Sequence, residues 1–139
     1  MNVCDLDGYE HVWKPSCRRK NKCSGLHRRA RDLLSEMFPC TLVMEEVSIK
    51  VRRRNTLYLD FYIPIFRAVI EVHGQQHYKM STLYHKSQMD FLKGRRRDAD
   101  KRYWCELNNL IFIELPYNEV YNEWNNRIQD SIRTNGDDA

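Results

Sequence analysis

Apolar residues recur at helical spacing in three stretches of this chain and alternate with polar ones in the stretches between. Leu26, Ala30, Leu33, Leu34 and Met37 follow Ser24 at helical intervals, which predicts a helix from Gly25 to about Phe38, capped by Ser24 and stopped by Pro39. Val47, Ile49 and Val51 alternate as a strand, and the Arg52-Arg53-Arg54-Asn55 turn leads by a hairpin into a second strand, Leu57–Ile63. Pro64 to Arg67 link to a third strand, Ala68–His73, after which residues 78–88 read as a loop with a frayed helix. Leu92, Ala99, Tyr103 and Leu107 share one face of a long helix ending at Asn108-Asn109, and Leu110–Leu115 is a fourth strand stopped by Pro116. Val120, Tyr121, Trp124, Ile128 and Ile132 mark an amphipathic helix over Asn118–Ile132. Residues 1–23 show little periodicity and are expected to be irregular, and the polar tail from Thr134 is expected to be disordered. The order α-β-β-β-α-β-α predicts an α/β (α+β) domain, a small mixed four-stranded sheet flanked by helices. At 139 residues this is one domain, with 24–115 as its core and 116–133 as a C-terminal helix.

The middle two strands carry the chemistry. Leu57, Leu59, Phe61 and Ile63 are expected on one face, which leaves Asp60 on the other with Tyr58 and Tyr62. Ile70 and Val72 place Glu71 and His73 together on the opposite side, and Gly74 then opens a loop bearing His77. A single buried Asp or His is usually a satisfied core polar group. Two carboxylates and two imidazoles converging from adjacent strands outline a divalent-metal site.

Charge changes the picture further. Residues 1–54 hold 12 Lys/Arg against 7 Asp/Glu and residues 55–105 hold 9 against 5, whereas residues 106–139 hold 2 against 7. The basic residues cluster at Arg18–Lys22, at Arg28, Arg29 and Arg31, at Arg52, Arg53 and Arg54, and at Arg95, Arg96, Arg97, Lys101 and Arg102. Such clusters suit a polyanion, because Lys and Arg displace counterions condensed on nucleic-acid phosphates. They hold phosphates and carry little base information. No run of about 18 apolar residues exists to cross a membrane. The N-terminus does not read as a secretory signal, and five cysteines, an odd number, suit a reducing, cytoplasmic compartment.

Asp60, ten residues, then Glu71-Val72-His73 resembles the PD-(D/E)XK nuclease superfamily, with His in place of the usual Lys. The segments LDFYIP, VIEVHGQQH and RRRDADKRYWCELNNLIFIEL look most like very-short-patch-repair (Vsr-like) endonucleases and related phage homing endonucleases, over roughly residues 24–115. The resemblance implies a restriction-endonuclease-like core and a DNA endonuclease using Mg²⁺ or Mn²⁺. It makes Asp60 the central metal ligand with Glu71, His73 a general base, His77 an assistant at the phosphate or leaving group, and Asp98 a further acidic residue for which Asp100 competes. The Glu that such enzymes carry near the start of the first helix aligns with His27, with Glu36 and Glu46 as substitutes. A phage or mobile-element nuclease in a bacterial host, monomer or homodimer, is the expectation. A mismatch-repair nickase, a degenerate nucleic-acid-binding module with a zinc-stapled N-terminus, and an RNA-directed nuclease are the alternatives.

Two further sites are open on sequence. Cys4, Cys17, Cys23 and His27 occur as C-x12-C-x5-C-x3-H, a spacing that suits a structural Cys3His zinc site, with His11 in reserve and Cys40 and Cys105 as core thiols. Tyr103, Trp104, Tyr121 and Trp124 are expected in the core, while the resemblance to mismatch-repair enzymes, which wedge aromatic side chains into the base stack, makes Trp13 or Tyr78 a candidate for that role.

Overall fold

A computed structural model of the chain describes residues 1–17, 23–74 and 88–137, with side chains up to residue 134 in the last helix. Two short strands, β1 (Asn2–Cys4) and β2 (Glu10–Val12), precede helix α1 (Gly25–Met37). Strands β3 (Met44–Arg52), β4 (Asn55–Ile63) and β5 (Ala68–His73) follow, then helix α2 (Gln88–Leu107), strand β6 (Ile111–Pro116) and helix α3 (Tyr121–Asp137). The main sheet runs β3-β4-β5-β6, antiparallel across its first two pairs and parallel between β5 and β6, with α2 in the connection. This is the expected mixed α/β core.

Local chemistry accounts for the boundaries. The Ser24 hydroxyl accepts the His27 N–H at 3.1 Å and starts α1, and Pro39 holds Phe38 out of the helical region at its end. Arg67, left-handed at φ 53°, closes the Pro64–Phe66 turn, and its carbonyl accepts from Ile111 N at 2.9 Å to seat β6 beside β5.

Two cores sandwich the sheet. Leu33, Leu34, Phe61, Ile63, Ile70, Ile113, Leu115, Trp124 and Ile128 bind it to α1 and α3. Val47, Ile49, Leu57, Leu59, Tyr62, Val69, Trp104 and Cys105 bind its other side to α2 and the N-terminal strands. The four alternating residues of β4 are therefore not on one face: Leu57 and Leu59 pack toward α2, whereas Phe61 and Ile63 pack toward α1 and α3. Met44 and Val47 of β3 show the same break, both packing toward α2 although their spacing would oppose them. The switch falls at Glu46, left-handed at φ 52°, between the pairs Glu45↔Phe61 and Val47↔Leu59. Asp60 is the residue opposite.

The N-terminal stretch is ordered as a hairpin, against the expectation of irregularity. Its strands are three residues each, too short for periodicity to reveal, and Asn108 makes up the deficit. The Asn108 amide accepts from Cys4 N at 2.7 Å and donates to Cys4 O at 2.9 Å, as a strand partner would. Trp13 is buried against Tyr62 and Trp104, with its Nε1 donating to Ser48 O at 3.1 Å, so it is core and no base wedge; Tyr78 lies outside the described residues. Helix α3 continues to Asp137, so residues 134–137 are not a disordered tail. On α2 the inward side is Trp104 and Cys105, and the stripe expected to be core, Leu92, Ala99, Tyr103 and Leu107, is exposed.

Arg29, expected to meet DNA, instead ties α1 to α3. Its guanidinium lies 4.1 Å over the Trp124 ring and donates to Glu119 O at 2.7 Å. Removing a cation–π contact and a hydrogen bond together should cost about 1–2 kcal/mol. Urea unfolding of Arg29→Ala should therefore show a lower midpoint at an unchanged slope, with nucleic-acid affinity little affected.

Candidate active site

The site forms where the sheet splits. β5 pairs with β4 only from Phe61 to Ile63, so below that point the two strands diverge while β5 stays paired with β6. Side chains replace the lost ladder: Asp60 N donates to Glu71 Oε2 at 3.0 Å, and Val72 N donates to Asp60 Oδ2 at 2.9 Å. Each carboxylate is thus aimed by the main chain of the opposite strand, through charge-assisted bonds that satisfy otherwise orphaned N–H groups.

Lys101 of α2 enters from the far side, its Nζ 2.7 Å from Glu71 Oε1 as an ion pair. The Glu71 side chain is 2% exposed, that of Lys101 17% and that of Asp60 25%. Burial, and then the nearby Asp60 charge, push the Glu71 carboxyl well above its usual range, with Lys101 opposing. Burial alone would lower Lys101, but Glu71 and then Asp60 outweigh it and hold the ammonium above its ordinary value. Two carboxylates therefore share one cation. Glu71 Oε1 also makes no aligned hydrogen bond, so a lone pair remains for a further positive partner.

On the other side of Asp60 stands His27, buried and stacked on Phe61 at 4.5 Å between ring centroids. Its Nε2 lies 3.0 Å from Glu45 Oε1, and Arg31 grips the same carboxylate with bonds of 2.8–3.1 Å. Burial would raise Glu45, but Arg31 and His27 outweigh it and hold that carboxyl below its ordinary value. An ionised Glu45 only accepts, so the His27 Nε2 that meets it carries a proton, and Nδ1 faces Asp60 Oδ1, 3.9 Å away. Carboxylates orient metal-bound histidines in this way. Among the described residues, one donor group gathers: His27, Glu46 and Asp60, with ligand atoms within 4.8 Å of one another. The left-handed backbone of Glu46 is what turns its side chain into this group, at a cost on the order of 1–3 kcal/mol.

The other expected residues divide. His73 is buried on the Glu71 side of β5, and its Nδ1 lies 3.8 Å from Glu114, which Arg102 also pairs with. Asp100 is engaged by Arg52 at 2.7 Å, whereas Asp98 is among the charges that act on Lys101. His77 lies outside the described residues. Cys4 stands apart on β1, whereas Cys17 Sγ accepts from Glu45 N at 3.3 Å, His27 meets the Glu45 carboxylate and Cys23 lies by Arg31; among the described residues these four do not form a metal-ligand group. Glu36, bonded by the Tyr121 hydroxyl at 2.6 Å, is also elsewhere.

Of the basic residues assigned to DNA, Arg29 and Arg52 are tied up internally and Lys101 is inside the site. Arg28, Arg53, Arg54, Arg95, Arg96 and Arg97 are exposed. Lys101 was hidden within a basic cluster. Its spacing of three and four residues from Trp104 and Cys105 is the signal that it faces inward. A cleft of about 540 Å³ opens onto the site between β4 and α2, lined by Glu46, Thr56, Leu57, Tyr58, Asp60, Arg97 and Lys101.

The fold and cluster define a mixed α/β domain with a carboxylate-rich cleft beside a His27, Glu46 and Asp60 group that could hold a metal ion. No family model matches the chain, and no solved structure matches it. It is similar to "Uncharacterized protein 307L" of Invertebrate iridescent virus 6, 39% identical over 61 residues, which is 44% of this chain and 31% of that protein. It is also similar to "Uncharacterized protein 094L" of Frog virus 3, 37% identical over 64 residues, 45% of this chain and 41% of that protein. "Uncharacterized protein 033L" of Invertebrate iridescent virus 3 is 32% identical over 63 residues, 45% of this chain and 32% of that protein. The matches thus span 31–41% of these relatives' length. Among the described residues no helix is long and apolar enough to cross a membrane.

Proposed function

We propose that this chain is a divalent-metal-dependent DNA endonuclease of the PD-(D/E)XK type, similar to Vsr-like enzymes. The observation that carries the reading is the convergence of Asp60 and Glu71 from two diverging strands on one lysine, with Lys101 Nζ 2.7 Å from Glu71. The lysine missing from the sequence motif is supplied from α2. His27, Glu46 and Asp60 would hold Mg²⁺ or Mn²⁺, and the imidazole in the set favours Mn²⁺, while Glu71 stands with Lys101 on the other side of Asp60. Such an ion neutralises charge on a phosphodiester and acidifies bound water. Lys101 is placed to donate to the attacking water or to a phosphate oxygen, and Arg97 on the cleft wall to hold the neighbouring phosphate. The water-positioning contact expected of His73 passes to Lys101 in this reading, because His73 faces Glu114; the Lys101 ammonium donates and is not the general base.

The viral relatives agree with a virus-borne gene; their names point to invertebrate and frog viruses rather than bacteriophages. Supercoiled plasmid incubated with Mn²⁺ or Mg²⁺ should be nicked or linearised, and EDTA should stop it. Intact plasmid in both metals, across several DNA substrates including single strands, would refute the enzyme and leave a DNA-binding module.

A further inference from the structure

The substrate-facing part of the cleft says what form of DNA it takes. Because β5 leaves β4 at Phe61, residues 56–60 of β4 have β3 on one side and the cleft on the other. Tyr58 is in this stretch, two residues and so about 6.6–6.8 Å along the strand from Asp60, and both line the cleft. Its cross-strand partner is Ser48, too small to cover a ring, and Tyr58 is 44% exposed. Among the described residues no ring or cation stacks on it. A lone exposed aromatic is ordinary on a protein surface. This one lines the wall of a cleft whose other wall carries Arg97 and Lys101.

Resting on the nuclease reading above, we infer that Tyr58 is a stacking platform for an unpaired base next to the phosphate held at Asp60. The reach from Asp60 to Tyr58 is that from a phosphate to the base beside it. A base can lie flat on the ring only after it leaves its duplex neighbours. The substrate class is therefore DNA with single-stranded character at the cut, such as a single strand, flap or overhang. Stacking is sequence-tolerant, because every base has a π-face.

The test is binding without cleavage, in EDTA, using a short single-stranded oligonucleotide carrying 2-aminopurine and the same sequence as a duplex. The protein and Tyr58→Phe should bind the single strand more tightly than the duplex and quench the 2-aminopurine emission. Tyr58→Ala should bind the single strand roughly tenfold to a hundredfold more weakly, the range for loss of one base–aromatic stack, and should not quench. Its duplex binding should hardly change. Equal single-strand affinity for Tyr58→Ala and the unaltered protein, or a preference for duplex, would overturn the inference. Because Tyr58 is exposed, circular dichroism should show the variant folded. The readout is independent of catalysis, so a protein that stacks but does not cut refutes only the nuclease reading. One that cuts duplex regardless of Tyr58 refutes only the stacking.

Discussion

Asp60→Asn should abolish metal-dependent cleavage while leaving the protein folded and bound to DNA. Asparagine keeps the shape and retains a carbonyl to accept Val72 N, so the junction of β4 and β5 survives. What it loses is the charge shared by both halves of the site, the His27–Glu46 side and the Glu71–Lys101 side. Losing one preorganised charge-stabilising group costs on the order of 10²–10³-fold in rate, and a shared ligand should reach at least that. Stability should be unchanged or slightly higher, because the Asp60 charge is one of the causes raising Glu71, and removing it relieves that repulsion. Single-turnover rates, EDTA binding and a melting curve on the same preparation check all three. Cleavage within a few-fold of the unaltered protein would remove Asp60 from the site.

Lys101→Met should be the most destabilising single change at the site. It leaves the buried Glu71 carboxylate beside Asp60 with no cation, and breaking a buried pair from one side costs about 3–5 kcal/mol. The deficit should depend on pH. Lys101 is among the influences lowering Glu71, so its loss raises Glu71 further above the value in the unfolded chain. A group raised on folding favours the folded state while protonated, so the variant should be least impaired in acid and lose stability as pH rises. Adding Glu71→Gln removes the stranded charge and should restore most of the stability without restoring cleavage. Urea midpoints at two pH values for the single and double variants read this directly. A single variant as stable as the unaltered protein at every pH would show that Lys101 and Glu71 are not paired in solution.

Much of the fold was readable because its long elements obey one period each. Ala68–His73 is bounded as its pattern predicts, and α1 and the β3–β4 turn fall within a residue or so of expectation. The carboxylates were readable for the same reason, as single acids in greasy strands. Where the period changes, prediction failed. Leu57, Leu59, Phe61 and Ile63 look like one face, and nothing in their identities announces that Glu46 and Asp60 reverse the sides between the second and third of them. Helix α2 failed for a different reason. Its apolar stripe faces out and its inward side includes a lysine, because that side serves a charged site as well as a core. The basic clusters mixed three jobs that charge alone cannot separate: Arg29 docks a helix, Arg31 and Arg52 hold acids, and Lys101 enters the site.

Glu46 sets folding and function against each other at a single position. Its left-handed backbone suits glycine, asparagine or aspartate better than glutamate, whereas its place beside His27 and Asp60 asks for a carboxylate on a longer arm. Lineages under pressure only to stay folded would drift toward glycine there and gain stability. Lineages that still depend on the site would keep the strained acid. The residue found at this position in any descendant of the chain is therefore a record of which pressure it has lived under.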